Sequence, residues 1–328
     1  MSTPASVPGG SAHASGSAGG ARSAGPDLPP PSGSGVVAAD LPLRRTRTLG
    51  RFRIHALEAG LQRLDGGAMF GVVPKPLWEK RIPSDSRNRI PLAMRCLLVE
   101  TSDALVLIDN GAGNKEAAKF REIYGLENAG SPTRLEDAIR DTGLSPDDVT
   151  VVIDTHLHFD HAGGNTYLDD EGQVRLSFPR ARYFVQRGEF EFAHLRNERI
   201  QASYLPHNFD PVHAAGRYTF LEGEAEVLPG VRVLPTPGHT PHHQSVLIRS
   251  EGEVAVFLAD VVPTSAHLPY SWIMGYDVEP LVTLQTKKQL IPRARAEGWL
   301  LVFEHDPVVP WGVLEPGEAR PVLRPAAD

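Results

Sequence analysis

Within the stretch THLHFDHAGGN, six consecutive positions hold three histidines and an aspartate: His156, His158, Asp160 and His161. The stretch follows directly on the apolar run VTVVID. No other part of the chain limits its fold so sharply, because such side chains crowd together beside a buried run mainly where a cation holds them. In an extended segment, residues two apart project the same way, so His156 and His158 can reach one ion. Asp160 and His161 lie on the next bend and can serve a second. With 13 histidines in 328 residues, chance would place this pattern in roughly one such chain in a thousand. One short loop cannot close a coordination sphere, so further ligands must come from elsewhere.

Three later segments can supply them, each ending in one metal-binding side chain. His239 follows the stiff, bent backbone of Pro235, Pro237 and Gly238. Asp260 closes VAVFLAD, and His305 closes WLLVFEHD. Taken singly, each reads equally well as a polar residue where a strand leaves for solvent. Taken together, downstream of the first motif, they describe strands that deliver ligands to one sheet edge.

The remainder reads as one soluble domain. Hydrophobic residues make up 41% and charged residues 22%, ordinary for a globular chain. A net charge of -7 argues against nucleic-acid binding. No apolar run reaches the roughly 18 residues of a membrane span. The one cysteine, Cys96, lies in the apolar run RCLLVE and reads as a small buried hydrophobe. Residues 1–36 are Gly, Ser, Ala and Pro with almost no large side chains, which predicts a disordered tail. Neither a secretory signal nor a twin-arginine signal is evident, so the expected location is cytoplasmic. Residues 37–328 are expected to form a single domain. Strands are expected at RFRIHALEAG, MRCLLVETSDALVLIDNG, SPDDVTVVIDTHLH (running into a loop), VRVLPTPGHT, HQSVLIRS, EVAVFLAD and WLLVFEHD. Helices are expected at NKEAAKFREIYGL, SPTRLEDAIRDTGL, QRGEFEFAHLRNER and EPLVTLQTKKQLIPRARAEG. Strands followed by helices, twice over, suggest two similar α/β halves packed face to face.

THLHFDHAGG, PTPGHTPHH, LADVVPT and FEHDP resemble the successive metal motifs of the metallo-β-lactamase superfamily, across most of residues 51–310. The resemblance implies an α/β fold, the four-layer αβ/βα sandwich, with a dinuclear site at one edge. It implies two divalent ions, zinc foremost. His156, His158 and His239 would hold the first, Asp160, His161 and His305 the second, and Asp260 would bridge them. VLIDNGAGN resembles the family's early Asp-x-Gly turn, which would make Asp109 a group that orients a ligand histidine; an ordinary Asp-Asn-Gly turn explains it equally well. The implied chemistry is hydrolysis by a metal-bridging hydroxide, with Asp160 and Asp260 as the catalytic carboxylates. Asp160 would pass a proton to the leaving group.

Two further segments, GGAMFGVVPKPLWEKRIPSDSRNRIPLAMRCLLVET and DVVPTSAHLPYSWIMGYD, resemble the branch containing N-acyl homoserine lactone lactonases and methyl parathion hydrolase. The expected reaction is therefore cleavage of a lactone, or of a related ester or phosphotriester, in a small-molecule substrate, with quorum quenching as the associated role. No nucleic-acid or membrane partner is expected, and a homodimer is left open. The chain departs from the smaller lactonases at Pro263, where they place a tyrosine three residues after the bridging aspartate. His267 could supply the missing oxyanion assistance, although a hydrogen-bonded structural histidine is the plainer reading. Phe70, Leu77, Trp78, Trp272, Met274 and Tyr276 could line an apolar vestibule, or could simply be core. His242 and His243 read as supports of the ligand loop. The rival functions are an iron-dependent thiol or persulfide oxygenase, a thioesterase of glyoxalase II type, and a non-catalytic binding module. Metal content per chain separates the oxygenase from the hydrolases.

Overall fold

In the computed structural model, which describes residues 35–317 and 321–328, the apolar runs become strands buried on both faces. The expected tail, residues 1–36, lies outside the described residues except for its end. There, Arg63 donates to the Val36 carbonyl, and just past the expected tail Ala38 N donates to Glu127 at 2.9 Å. One seven-stranded sheet runs, in spatial order, through Arg44–Leu49, Phe52–Asp65, Arg89–Glu100, Leu105–Ile108, Val151–Ile153, Arg182–Gln186 and Tyr218–Leu221. The second, also seven-stranded, runs through Ala225–Leu228, Val231–Pro235, Gln244–Ser250, Glu253–Phe257, Leu300–Val302, Trp311–Leu314 and Leu323–Pro325. Both sheets mix parallel and antiparallel pairs.

The period-two alternation of a strand assigns its side chains to layers. Leu97, Val99, Val106, Ile108 and Ile153 face inward and meet Val246, Ile248, Phe257, Leu300 and Val302 of the other sheet in one core. Their neighbours Leu98, Leu107 and Val152 point outward, onto Leu135, Ala138 and Ile139 of the helix Arg134–Asp141. On the far side, Leu247, Val256 and Leu301 pack on Leu290, Ile291 and Ala294 of the helix Pro280–Ala296. Helix, sheet, sheet and helix therefore form the four-layer αβ/βα sandwich. Because both faces of each central strand are covered, its sequence is continuously apolar.

Helix ends follow local chemistry. Thr133 caps Arg134–Asp141 through a capping box with Glu136, whose carboxylate accepts from Thr133 N at 3.1 Å. The stretch QRGEFEFAHLRNER is helical only over Arg187–Ala193, and Arg196 then adopts φ 48. Among the described residues, no helix is long and apolar enough to cross a membrane.

Candidate metal centre

Strand ends on one edge of the sandwich carry the metal-loving side chains. Val151–Ile153 runs into the 155–161 loop, Val231–Pro235 into the loop bearing His239, Glu253–Phe257 into Asp260, and Leu300–Val302 into His305. All seven side chains are buried, between 0% and 8% exposed. Ligand atoms of His156, His158, His239 and Asp260 lie within 4.8 Å of one another, as do those of Asp160, His161 and His305. Asp260 stands between the groups. Its Oδ2 is 3.0 Å from His239 Nε2 and 3.6 Å from His161 Nε2, and its Oδ1 is 3.0 Å from His305 Nε2.

Two features of the backbone force this convergence. Gly238, with φ +137, packs against the start of the helix Pro280–Ala296, where a Cβ would stand 2.4 Å from Thr283 N. Gly164 brings the loop after His161 so close that a Cβ would meet the Asn110 carbonyl at 2.0 Å. Unusual backbone also sits at the site itself, where Asp109 has φ 53 and Ala259, just before Asp260, φ 46.

The ring nitrogens fit a cation. His158 Nδ1 is 3.0 Å from His156 Nε2 and 3.1 Å from His239 Nε2, and His305 Nε2 is 3.2 Å from His161 Nε2. In the neutral form that binds metal, these imidazoles cannot all satisfy a shared nitrogen by hydrogen bonding. Ligand nitrogens around a tetrahedral zinc stand about 3.3 Å apart, close to this spacing. The outer nitrogens are committed to acceptors. His161 Nδ1 faces Asp109 Oδ2 at 3.0 Å, His239 Nδ1 faces Asp277 Oδ1 at 3.0 Å, and His305 Nδ1 faces the Ala93 carbonyl at 2.6 Å. Protons on Nδ1 leave the Nε2 lone pairs directed at the centre.

In the metal-free chain, burial and the neighbouring imidazoles hold His156 and His158 well below the usual histidine range. Burial opposes charge on His239 and His305 too, but Asp260, joined by Asp277 at His239 and by Glu304 at His305, raises them to about 10 and about 9. The same histidines hold the Asp260 carboxyl well below the usual range against the effect of its burial. A cation that replaces those protons therefore meets an ionised carboxylate.

Several supporting residues carry no signature in the sequence. Glu189, fully buried, accepts from Leu157 N at 3.1 Å, Tyr204 Oη at 2.8 Å and Thr240 Oγ1 at 2.7 Å, and so ties the first motif to the His239 loop. Asp277 also accepts from Thr283 Oγ1 at 2.6 Å. Gln62 donates to Asp160 Oδ2. Glu304 Oε2 lies 3.0 Å from His161 Nδ1, and burial pushes its carboxyl well above the ordinary range. Its place next to His305 was the one available cue.

The structure favours the plainer of the two readings, core packing or structural support, for Phe70, Trp78 and His267. Phe70 and Trp78 do not line a vestibule. The segment after Asp65 folds into two short helices, and these aromatics pack with Ile90 and Leu92 in a separate small core. Leu77 is exposed and Trp272 leans on that same core, so only Met274 and Tyr276 of the six face the cavity. His267 is not available to an oxyanion: its Nδ1 pairs with Thr264 Oγ1 at 2.8 Å, its Nε2 with the Met69 carbonyl at 2.9 Å, and its ring stacks on Phe70. His243 receives the Asp260 backbone N–H on Nε2 at 3.2 Å, whereas His242 is exposed.

A cavity of about 110 Å³ opens over His158, Asp160, His239, Asp260 and His305. Leu64, Met69, Leu92, Phe159, Ile200, Met274 and Val278 form its apolar wall, and Tyr124, Arg199, Ser203 and Tyr276 are its polar members.

Residues 91–305 match the model of the Metallo-beta-lactamase superfamily. An N-acyl homoserine lactonase from Bacillus thuringiensis is 34% identical over 227 residues, 66% of this chain and 82% of that protein. The solved structure of a probable metal-dependent hydrolase from Staphylococcus aureus superposes with a TM-score of 0.77 at 32% identity, covering 85% of this chain and 99% of that one. An N-acyl homoserine lactone hydrolase, solved with N-hexanoyl-L-homoserine bound at its catalytic metal center, superposes with a TM-score of 0.58 at 27% identity, covering 79% and 94%.

Proposed function

This chain belongs to the metallo-beta-lactamase superfamily and is a hydrolytic enzyme of that family, and from that premise we propose that it opens the ring of a lactone. His156, His158 and His239 hold one divalent ion, Asp160, His161 and His305 hold a second, and Asp260 lies between them, with zinc the metal that best suits this nitrogen and oxygen donor set. Bound there, the two ions supply Lewis acidity and activate water at neutral pH. Asp109 and Asp277 fix the rings of His161 and His239. Asp160, at the cavity floor and held by Gln62, is placed to carry a proton toward the departing alkoxide. The apolar wall excludes water and takes up an acyl chain, as suits a relative named for an acylated lactone.

The observation that carries this reading is the convergence of two buried ligand groups on Asp260 beneath an apolar cavity. Two complete groups also favour a hydrolase over a single-iron oxygenase. The test is a panel of N-acyl homoserine lactones, plain γ-lactones, aryl phosphotriesters and thioesters on metal-analysed protein. Lactones should turn over fastest, and His158→Ala should abolish that turnover in a folded chain. Retained lactone hydrolysis by the variant, or thioesters as the best substrates, would overturn the proposal.

A further inference from the structure

Arg199 shares the cavity with the metal-binding groups, yet nothing above gives it a task. Its Nη2 donates to the carbonyls of Gly275 at 2.9 Å and Asp277 at 3.1 Å, on either side of Tyr276. Those two bonds fasten the loop whose Asp277 orients His239. The segment bearing Arg199 is itself anchored. Asn197 Oδ1 accepts from Arg199 N at 3.1 Å and from Ile200 N at 3.2 Å, and the Ser203 carbonyl accepts from Phe159 N at 2.9 Å, within the metal motif. A guanidinium is a rigid planar fork, so fixing one nitrogen orients the others. The Nε and Nη1 hydrogens have no acceptor among the described residues. Arg199 is exposed to solvent and lines the cavity, whose carboxylates, Asp160 and Asp260, are engaged by Gln62 and by histidines.

We infer that Arg199 is a specificity-determining residue: Nη2 holds the 275–277 loop, while the free donors bind a carbonyl oxygen of the substrate remote from the bond that breaks. In a lactone that oxygen is the carbonyl of an acylamino substituent on the ring, a group that plain lactones lack. The inference rests on the lactonase reading for the ring itself, but its test does not depend on turnover. Calorimetry on the metal-loaded full chain compares N-hexanoyl-homoserine with 2-heptyl-4-hydroxybutanoate, a hydroxy acid of matching length without the amide. Wild type should favour the amide ligand by about tenfold, the worth of one hydrogen bond from a charged donor. The preference should vanish in Arg199→Ala and be partly kept in Arg199→Lys, which retains a donor without the fork. Lack of a preference in wild type overturns the inference, as does a variant that weakens both ligands equally, since that result reduces Arg199 to a loop clamp. A wild-type chain that prefers the amide ligand but opens no lactone defeats the lactonase reading and leaves the inference standing.

Discussion

Replacing Asp277 by alanine should loosen one metal ion while leaving the fold in place. Its Oδ1 lies 3.0 Å from His239 Nδ1, its Oδ2 takes the Thr283 hydroxyl at 2.6 Å, and carboxylate and ring are each about 2% exposed. This bond keeps the His239 proton on Nδ1 and turns the Nε2 lone pair toward His158 and Asp260. Without the carboxylate the ring can rotate, change tautomer and become a weaker base. A buried hydrogen bond to a charged acceptor contributes about 2 kcal/mol. Metal affinity should accordingly fall by about 10- to 100-fold. Asp277→Asn should lose less, because its amide oxygen can still accept from Nδ1. Competition against a chromophoric chelator measures both variants, with thermal unfolding followed in parallel. If Asp277→Ala binds metal as tightly as wild type, the ring is oriented by something else and the reasoning fails.

Glu189→Ala strips the acceptor from three buried donors, Leu157 N, Tyr204 Oη and Thr240 Oγ1. At about 1 kcal/mol each this amounts to about 3 kcal/mol, seen as a Tm lowered by about 6 °C; an unchanged Tm would contradict it. Gly238→Ala puts a methyl 2.4 Å from Thr283 N at φ +137 and should destabilise the chain by about 2 kcal/mol or more. Denaturant unfolding reads that loss, and wild-type stability would show that the loop moves aside freely. Since the neighbouring carboxylates, Asp260 foremost, raise His239 to about 10 and His305 to about 9 in the metal-free chain, metal must displace protons at neutral pH. Metal uptake at pH 7 should thus release protons, and affinity should fall as pH falls. A pH-stat titration showing no release would refute this.

Much of the architecture was legible because both sheets are covered on both faces. Runs such as VLI at 106–108 and VVI at 151–153 have no solvent side to interrupt them, so they read as buried strands. The residues of the two clusters were equally readable, since most follow such a run closely and a histidine or aspartate there stands out against apolar neighbours. Asp109 was legible from its turn and His243 from its place after His239, but the other supports were not. Asp277 reaches His239 across 38 positions and Glu189 reaches Leu157 across 32, and neither sits in a pattern that sets it apart from any surface acid. Burial, which gives these carboxylates their role, is decided by packing rather than by neighbours in the chain. The aromatics stayed undecided for the same reason. Nothing local told Phe70, which faces a small core beside Ile90, from Tyr276, which faces the cavity. Helix length was overestimated at 186–199, where the chain turns at Arg196 to place Arg199 and Ile200 in the cavity wall.

The proposed reaction requires two divalent ions, one on either side of Asp260. Elemental analysis of purified, active protein, repeated after chelation and after readdition of zinc, tests it most directly. About two ions per chain are expected, with loss of lactone hydrolysis when they are removed and recovery when they return. A single ion in fully active protein, or hydrolysis that survives their removal, would contradict it.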